Sequence, residues 1–411
     1  INIESNMNSI IKRNQSEKRF KFYGILAVAT AIFLLMILLF KIFSTGITAF
    51  NQTYIGVKIQ IEANSDVSNL DPRRELKRNL RVMFPDAKTR KEKKDLYSLF
   101  SNGAYYEFEE MLDNYDGKKI DGYYYFLASD DVDMYFKGTV KRKGNSAGRI
   151  QSSQMIYIDM FKNMNLIELK YNKYLLGSSD SRDPELAGIL GAIYGSFYAI
   201  LIAFITSFPL GILTAVYLEK LASKNRFSDL IETNINNLAA VPSIVFGLLG
   251  LAIFLNFFDL PRSASLVGGL TLGLMTLPTI VIASRSAIKS VPPSIEEASI
   301  GLGSSKIQTI FNFTLPLAMP GILTGTIIGM ARAIGETAPL LMIGMVAFIV
   351  DIPSSPMDAA TALPVQIFLW QDSPERAFVE RTSAAIMVLL LFLFFLNITA
   401  VYLRKKLEKK W

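Results

Sequence analysis

The sequence predicts a mainly α-helical membrane protein of six spans, with a small α+β domain inserted between the first two. Three observations carry that prediction. Uncharged runs recur along the chain, and a spanning helix needs about 20 apolar residues. Between the first and second runs lies a stretch, 49–183, rich in Lys, Arg, Asp and Tyr and of ordinary domain size. The 411 residues are 51% hydrophobic and 19% charged, apolar-rich and charge-poor for a soluble fold.

Composition also excludes chemistry. With no cysteine there is neither disulfide nor thiol chemistry, and with no histidine the usual general base and the commonest metal ligand are missing. No catalytic residues and no metal site are expected. The formal charge of +7 fits basic loop ends beside a membrane rather than nucleic-acid binding.

The first element is a charge-free run from Phe22 to Phe40 between Lys21 and Lys41. It reads as a retained span; a cleaved leader is the rival, but the apolar stretch is long for one and no A-x-A site follows. Residues 54–62 alternate apolar and polar as a half-buried strand does. Residues 71–84 open with Asp71 as N-cap and Pro72 at the first helical position. Residues 91–115 read as one or two amphipathic helices, and 123–140 as strands around an acidic turn carrying Asp130, Asp131 and Asp133. That turn is expected to be solvated, a cation site being the sharper alternative.

The second half is almost entirely apolar. Charge-free runs cover Leu186 to Leu218, Thr233 to Phe258, Ser263 to Ser284 and Thr382 to Leu403. A further run, Leu317 to Val350, is interrupted only by Arg332 and Glu336. Basic residues orient the chain: Lys12, Arg13, Lys18, Arg19 and Lys21 at the start, Lys220, Lys224 and Arg226 between spans, and Arg404, Lys405, Lys406, Lys409 and Lys410 at the end. Both termini and the 285–315 loop are then cytoplasmic, and 49–183 is external (periplasmic). The expected divisions are 1–48, 49–183 and 184–411.

Within the 285–315 loop, Glu297, Ala298 and Ser299 are followed after three residues by Gly303, and after nine more by Phe313-x-Leu315-Pro316. This spacing resembles the EAA motif of ABC importer permeases, with Ser299 for the second Ala and Phe313 for an Ile. A short helix of small residues can enter a groove on another protein. Gly303 is expected to turn the chain out of that helix at positive φ, and Pro316 to open the next span, where its missing N–H costs nothing. No G-x-x-x-x-G-K-[ST] phosphate loop occurs, and 144–149 lacks both its spacing and its Lys, so ATP and Mg belong to a partner. This chain is expected to bind no cofactor.

Arg332 and Glu336 stand at i and i+4, so the sequence places them on one helix face. Charges inside a span usually meet each other or a cavity. They form an internal ion pair that joins helices, or a guanidinium offered to an oxyanion. The segment ARAIGETAPLL around them, and TLPTIVIASRSAIKSVP at 276–292, are similar to the PstA family of phosphate ABC transporter permeases. The resemblance implies a six-transmembrane-helix ABC importer permease in the inner (plasma) membrane, half of the pathway of an inorganic phosphate importer and not itself an enzyme. It implies a PstC-like second permease, a PstB-like ATPase dimer on Glu297, Ala298, Ser299, Gly303, Leu315 and Pro316, an external phosphate-binding protein, and Arg332, Glu336 and Thr337 on the substrate path. Membrane lipid surrounds it. Some family members carry an insertion between the first two spans, and the inserted domain is expected to be separable from the core pathway. Permeases for sulfate or molybdate, and a membrane-anchored sensor with an external ligand-binding domain, remain the alternatives.

Overall fold

A computed structural model describes residues 3–63, 70–144, 146–223 and 225–407. Lys224, Lys409 and Lys410, used above for orientation, lie outside the described residues. The described residues are mainly helical, with a three-stranded sheet and a two-stranded hairpin. Helix α1 (Ile3–Gly46) is longer than the expected first span, because the Lys, Arg, Glu and Gln of its polar end are good helix formers. A 3₁₀ turn, Ile47–Phe50, carries it without a loop into strand β1 (Asn51–Ile61).

Next come α2 (Pro72–Met83), α3 (Arg90–Tyr97), α4 (Asn102–Asp113), β2 (Ile120–Leu127) and α5 (Asp130–Phe136). A short hairpin, β3 (Arg142–Lys143) and β4 (Ser146–Ala147), precedes α6 (Ser152–Asn163), β5 (Ile167–Tyr171) and α7 (Lys173–Gly177). The sheet is antiparallel in the order β2-β1-β5, with Tyr54 opposite Leu127 and Asn51 opposite Tyr171. Ile55, Val57 and Ile59 of β1 meet Leu76, Leu80, Phe108, Phe126 and Phe161 in one apolar core. Asp71 caps α2 as expected, accepting from the Arg73 N–H at 3.0 Å.

The expected strands around an acidic turn are corrected to a strand and a helix. Asp130, Asp131 and Asp133 form the first turn of α5, where the helix dipole favours carboxylates and Ser129 takes the extended cap conformation. Nor is the segment simply solvated: Asp133 is buried and ion-paired with Lys137 at 2.6 Å.

The membrane half comprises α8 (Leu190–Val216), α9 (Arg226–Ala239), α10 (Ser243–Gly250), α11 (Ser265–Lys289), α12 (Pro293–Gly301), α13 (Lys306–Thr309), α14 (Leu315–Gly335), α15 (Ala338–Met342), α16 (Leu363–Gln371) and α17 (Phe378–Leu407). π-Helical turns extend α8 through Leu221 and α10 through Phe257, and another joins α13 to α14. Among the described residues five helices are long and apolar enough to cross a membrane, and α9 with α10 makes a sixth if that pair is one span.

Three expected spans need correction. The run 233–258 is broken, α9 meeting α10 at 106°, because Pro242 has no N–H to continue a helix and biases Val241 away from it. The run 186–218 turns helical only at Leu190, after a 3₁₀ turn at Pro184–Leu186. The run 317–350 leaves the helix at Glu336, whose ψ of 117° is extended.

Glycine lets the spans approach closely. A Cβ on Gly269 of α11 would stand 2.6 Å from the Ala199 carbonyl oxygen of α8, so only glycine fits that crossing.

Candidate coupling loop and substrate path

The loop motif folds as a helix-turn-helix at one end of the spans. α12 closes on backbone hydrogen bonds from Leu302 to Ala298 (3.1 Å) and from Gly303 to Ile300 (2.9 Å). Gly303 sits at φ +92°, the positive value expected for the exit of the helix. Ser305 and Gln308 then exchange capping bonds, Ser305 N–H to Gln308 Oε1 at 2.9 Å and Gln308 N–H to Ser305 Oγ at 3.3 Å, and start α13.

Within α12 the motif residues divide by face. Glu297 and Ala298 are exposed, whereas Ser299 is buried with its Oγ 2.9 Å from Thr309 Oγ1. Beyond them Ile300, Leu302, Ile307 and Phe311 stand exposed; Leu302 is 88% accessible.

Leu315 and Pro316 are half-buried, and Pro316 does not open a new helix as expected. The helix runs unbroken from Lys306 to Gly335, through a π turn at Ile310–Thr314 immediately before the proline. Proline removes one ladder bond and crowds the carbonyl a turn earlier; a wider turn at that place accommodates both.

Charged contacts that the sequence reading missed hold the loop. Lys220, in the π extension of α8, reaches Glu296 at 2.5 Å, and Thr314 Oγ1 donates to the same Glu296 oxygen at 3.1 Å. Arg285 of α11 pairs with Glu232 at 2.9 Å and Glu219 at 3.5 Å. The only signal in the sequence was charge at span ends, which names no partner.

The second part of the site lies at the far end of α14. Arg332 Nε donates to Glu336 Oε1 at 3.3 Å. The pair forms as expected, but Glu336 is the first residue past the helix rather than part of its face. Thr337, half-buried, follows at the start of α15, and its carbonyl accepts from Leu341 N–H at 3.0 Å. The break is packed against α10, where a Cβ on Gly247 would lie 2.8 Å from Pro339 Cα.

The Arg332 side chain is 63% exposed and Glu336 20%. Among the described residues neither Nη atom of Arg332 has a hydrogen-bond partner. Arg332 also lines a crevice shared with Leu238, Ser243, Thr276 and Thr279.

Among the described residues, five helices of membrane-crossing length and one bent pair define a multi-pass membrane protein. Residues 207–409 match the family described as binding-protein-dependent transport system inner membrane component, and residues 7–146 match a domain of unknown function, DUF3333. The chain is 33% identical over 217 residues to phosphate transport system permease protein PstA 1 of Mycobacterium tuberculosis (strain CDC 1551 / Oshkosh), covering 53% of this chain and 70% of that protein. It is 32% identical over 222 residues to PstA of Yersinia pestis, covering 53% and 74%. The MetNI methionine ABC transporter in an inward-facing conformation gives a TM-score of 0.44 at 15% identity, over 54% of this chain and 96% of that one. The chain belongs to the PstA family of phosphate transport system permeases.

Proposed function

We propose that this chain is the PstA-type subunit of an ATP-driven importer of inorganic phosphate, multi-pass in the inner membrane with both termini cytoplasmic. It forms half of the pathway, with a PstC-like permease supplying the other half. A PstB-like ATPase dimer docks on Glu297, Ala298 and the exposed apolar turn around Gly303, and an external phosphate-binding protein delivers the anion beside 49–183. ATP and Mg stay on the ATPase.

One observation supports the substrate assignment: Glu336 holds Arg332 through Nε alone, and the Arg332 side chain is 63% exposed with neither Nη bonded among the described residues. A guanidinium fork matches phosphate in a bidentate way, and a carboxylate beside it weakens the grip enough for release. ATP-driven closure of the ATPase would move α12, and the span it continues into, as a lever.

The test is labelled-phosphate uptake in cells lacking other phosphate importers, with sulfate and molybdate as competitors. Uptake that needs this chain and is blocked by unlabelled phosphate alone is expected; competition by sulfate or molybdate instead would move the assignment to that oxyanion.

A further inference from the structure

A buried polar junction ties the α+β part of the chain to two spans. Lys137, the cap residue of α5, reaches Asp133 at 2.6 Å and Glu380 of α17 at 3.1 Å, and the three side chains are 4%, 9% and 6% exposed. Thr48, in the turn between α1 and β1, donates to the other Glu380 oxygen at 2.5 Å, and Asp133 accepts from the Thr53 N–H of β1 at 2.7 Å. Next door, buried Arg381 donates to the carbonyls of Glu185 and Ala187 at 3.2 Å each, and Gln52 of β1 donates to the Glu185 carbonyl at 2.5 Å.

Buried charges persist only where every member is paired. Sliding α17 away from α5 would strand Glu380 without its cation, and sliding it away from the segment before α8, which Gln52 of β1 also holds, would leave Arg381 without its carbonyls. Continuity of the backbone adds to this, since α1 enters β1 with no loop between them. Gly46 of α1 also lies so close to α17 that a Cβ there would stand 2.9 Å from the Ser383 carbonyl carbon.

We propose that the α+β part is a clamp that holds the adjoining ends of α1 and α17 as one body through the transport cycle, with Lys137 as its positioning residue. It is thus a fixed part of the transport machinery rather than a separable module. The proposal rests on the permease reading for its cycle, but not on the identity of the anion.

The native chain has no cysteine, so two can be introduced cleanly. Spin labels at Tyr123→Cys on β2 and Val379→Cys on α17, both exposed positions, are placed in the assembled transporter in lipid vesicles. The expected result is one narrow distance, unchanged between the nucleotide-free and ATP-trapped states. Lys137→Met should broaden it and lower transport-coupled ATP hydrolysis about tenfold or more, as misplacement of a positioned element does; Lys137→Arg should restore both.

A distance that changes between nucleotide states overturns the clamp, and so does a Lys137→Met transporter with a narrow distance and undiminished hydrolysis. If that variant fails to insert, the unsubstituted transporter still decides. Failure of the phosphate assignment would appear in uptake competition and leave the distances unaffected.

Discussion

Lys220 Nζ lies 2.5 Å from Glu296 Oε1, joining the end of one span to α12 one residue before the motif glutamate. The pair is mostly buried, at 17% and 24% exposure, and Thr314 shares the same oxygen. Glu296 thus ties α12 to the π extension of α8 and to the π turn before α14.

Lys220→Met is expected to reduce uptake while leaving the ATPase bound, because the loop then moves without α8. Exchanging the charges, Lys220→Glu with Glu296→Lys, should recover part of the loss. A double-mutant cycle on uptake should give a coupling of roughly 1 kcal/mol. Additive single effects would mean that the contact transmits nothing.

Gly303 is surrounded by open space, so its positive φ is what a side chain would disturb. Gly303→Val should strain the turn by about 1–2 kcal/mol and separate ATP hydrolysis from uptake in the assembled transporter. Gly303→Asn, tolerated in left-handed backbone, should be milder. Normal uptake in the valine variant would remove this turn from the coupling path.

Arg332→Ala is expected to abolish phosphate uptake at normal protein levels. Arg332→Lys should also be poor, since an ammonium cannot make the forked contact, and Glu336→Gln should be mild. The exchange Arg332→Glu with Glu336→Arg keeps an ion pair but moves the cation beyond the helix end. It should stay inactive; substantial uptake would reduce the pair to a link between helices.

Burial pushes the Glu185 carboxyl up to about 7 from 4.5, with Asp130 and Asp183 adding to the rise and a Ser101 hydrogen bond opposing it. A raised carboxylate favours the fold when protonated. Its contribution is complete below pH 4.5 and is lost as pH climbs through about 7, for a total of about 3 kcal/mol. Melting in detergent should show Glu185→Gln gaining on the unsubstituted protein between pH 5 and pH 8. A constant difference across that range would show that the carboxyl does not titrate in the fold.

What the sequence disclosed follows the range of the interaction. The Asp71 cap, the alternation of β1 from Val57 to Ile61 and the Gly303 turn are decided within a few residues and were legible, whereas Tyr54 to Val57 are buried on both faces of the central strand. The acidic run at 130–133 was local too, but carboxylates mark both a solvated turn and the first turn of a helix. The run from Thr233 to Phe258 reads as one span on composition, and the proline inside it, Pro242, is what breaks it. The Lys137–Glu380 contact spans 243 positions and Arg285–Glu232 spans 53, distances over which charge pattern alone selects no partner. The Arg332–Glu336 pair was legible because four residues separate its members, whereas the helix end between them depends on packing against α10.

The π turn at Ile310–Thr314 gives the motif's spacing a second meaning. A π turn holds one more residue than the α turn it replaces. Deleting a residue inside the π turn would let it close as α with the bearing of its flanks nearly kept, whereas deleting one from the α-helical Lys306–Thr309 would swing everything before it by about 100° around the axis of α14. Glu297 and Leu302 would then point elsewhere while every individual helix survived. The count of residues between Gly303 and Pro316 thus works as a phase, encoding the compass bearing at which the loop presents its surface.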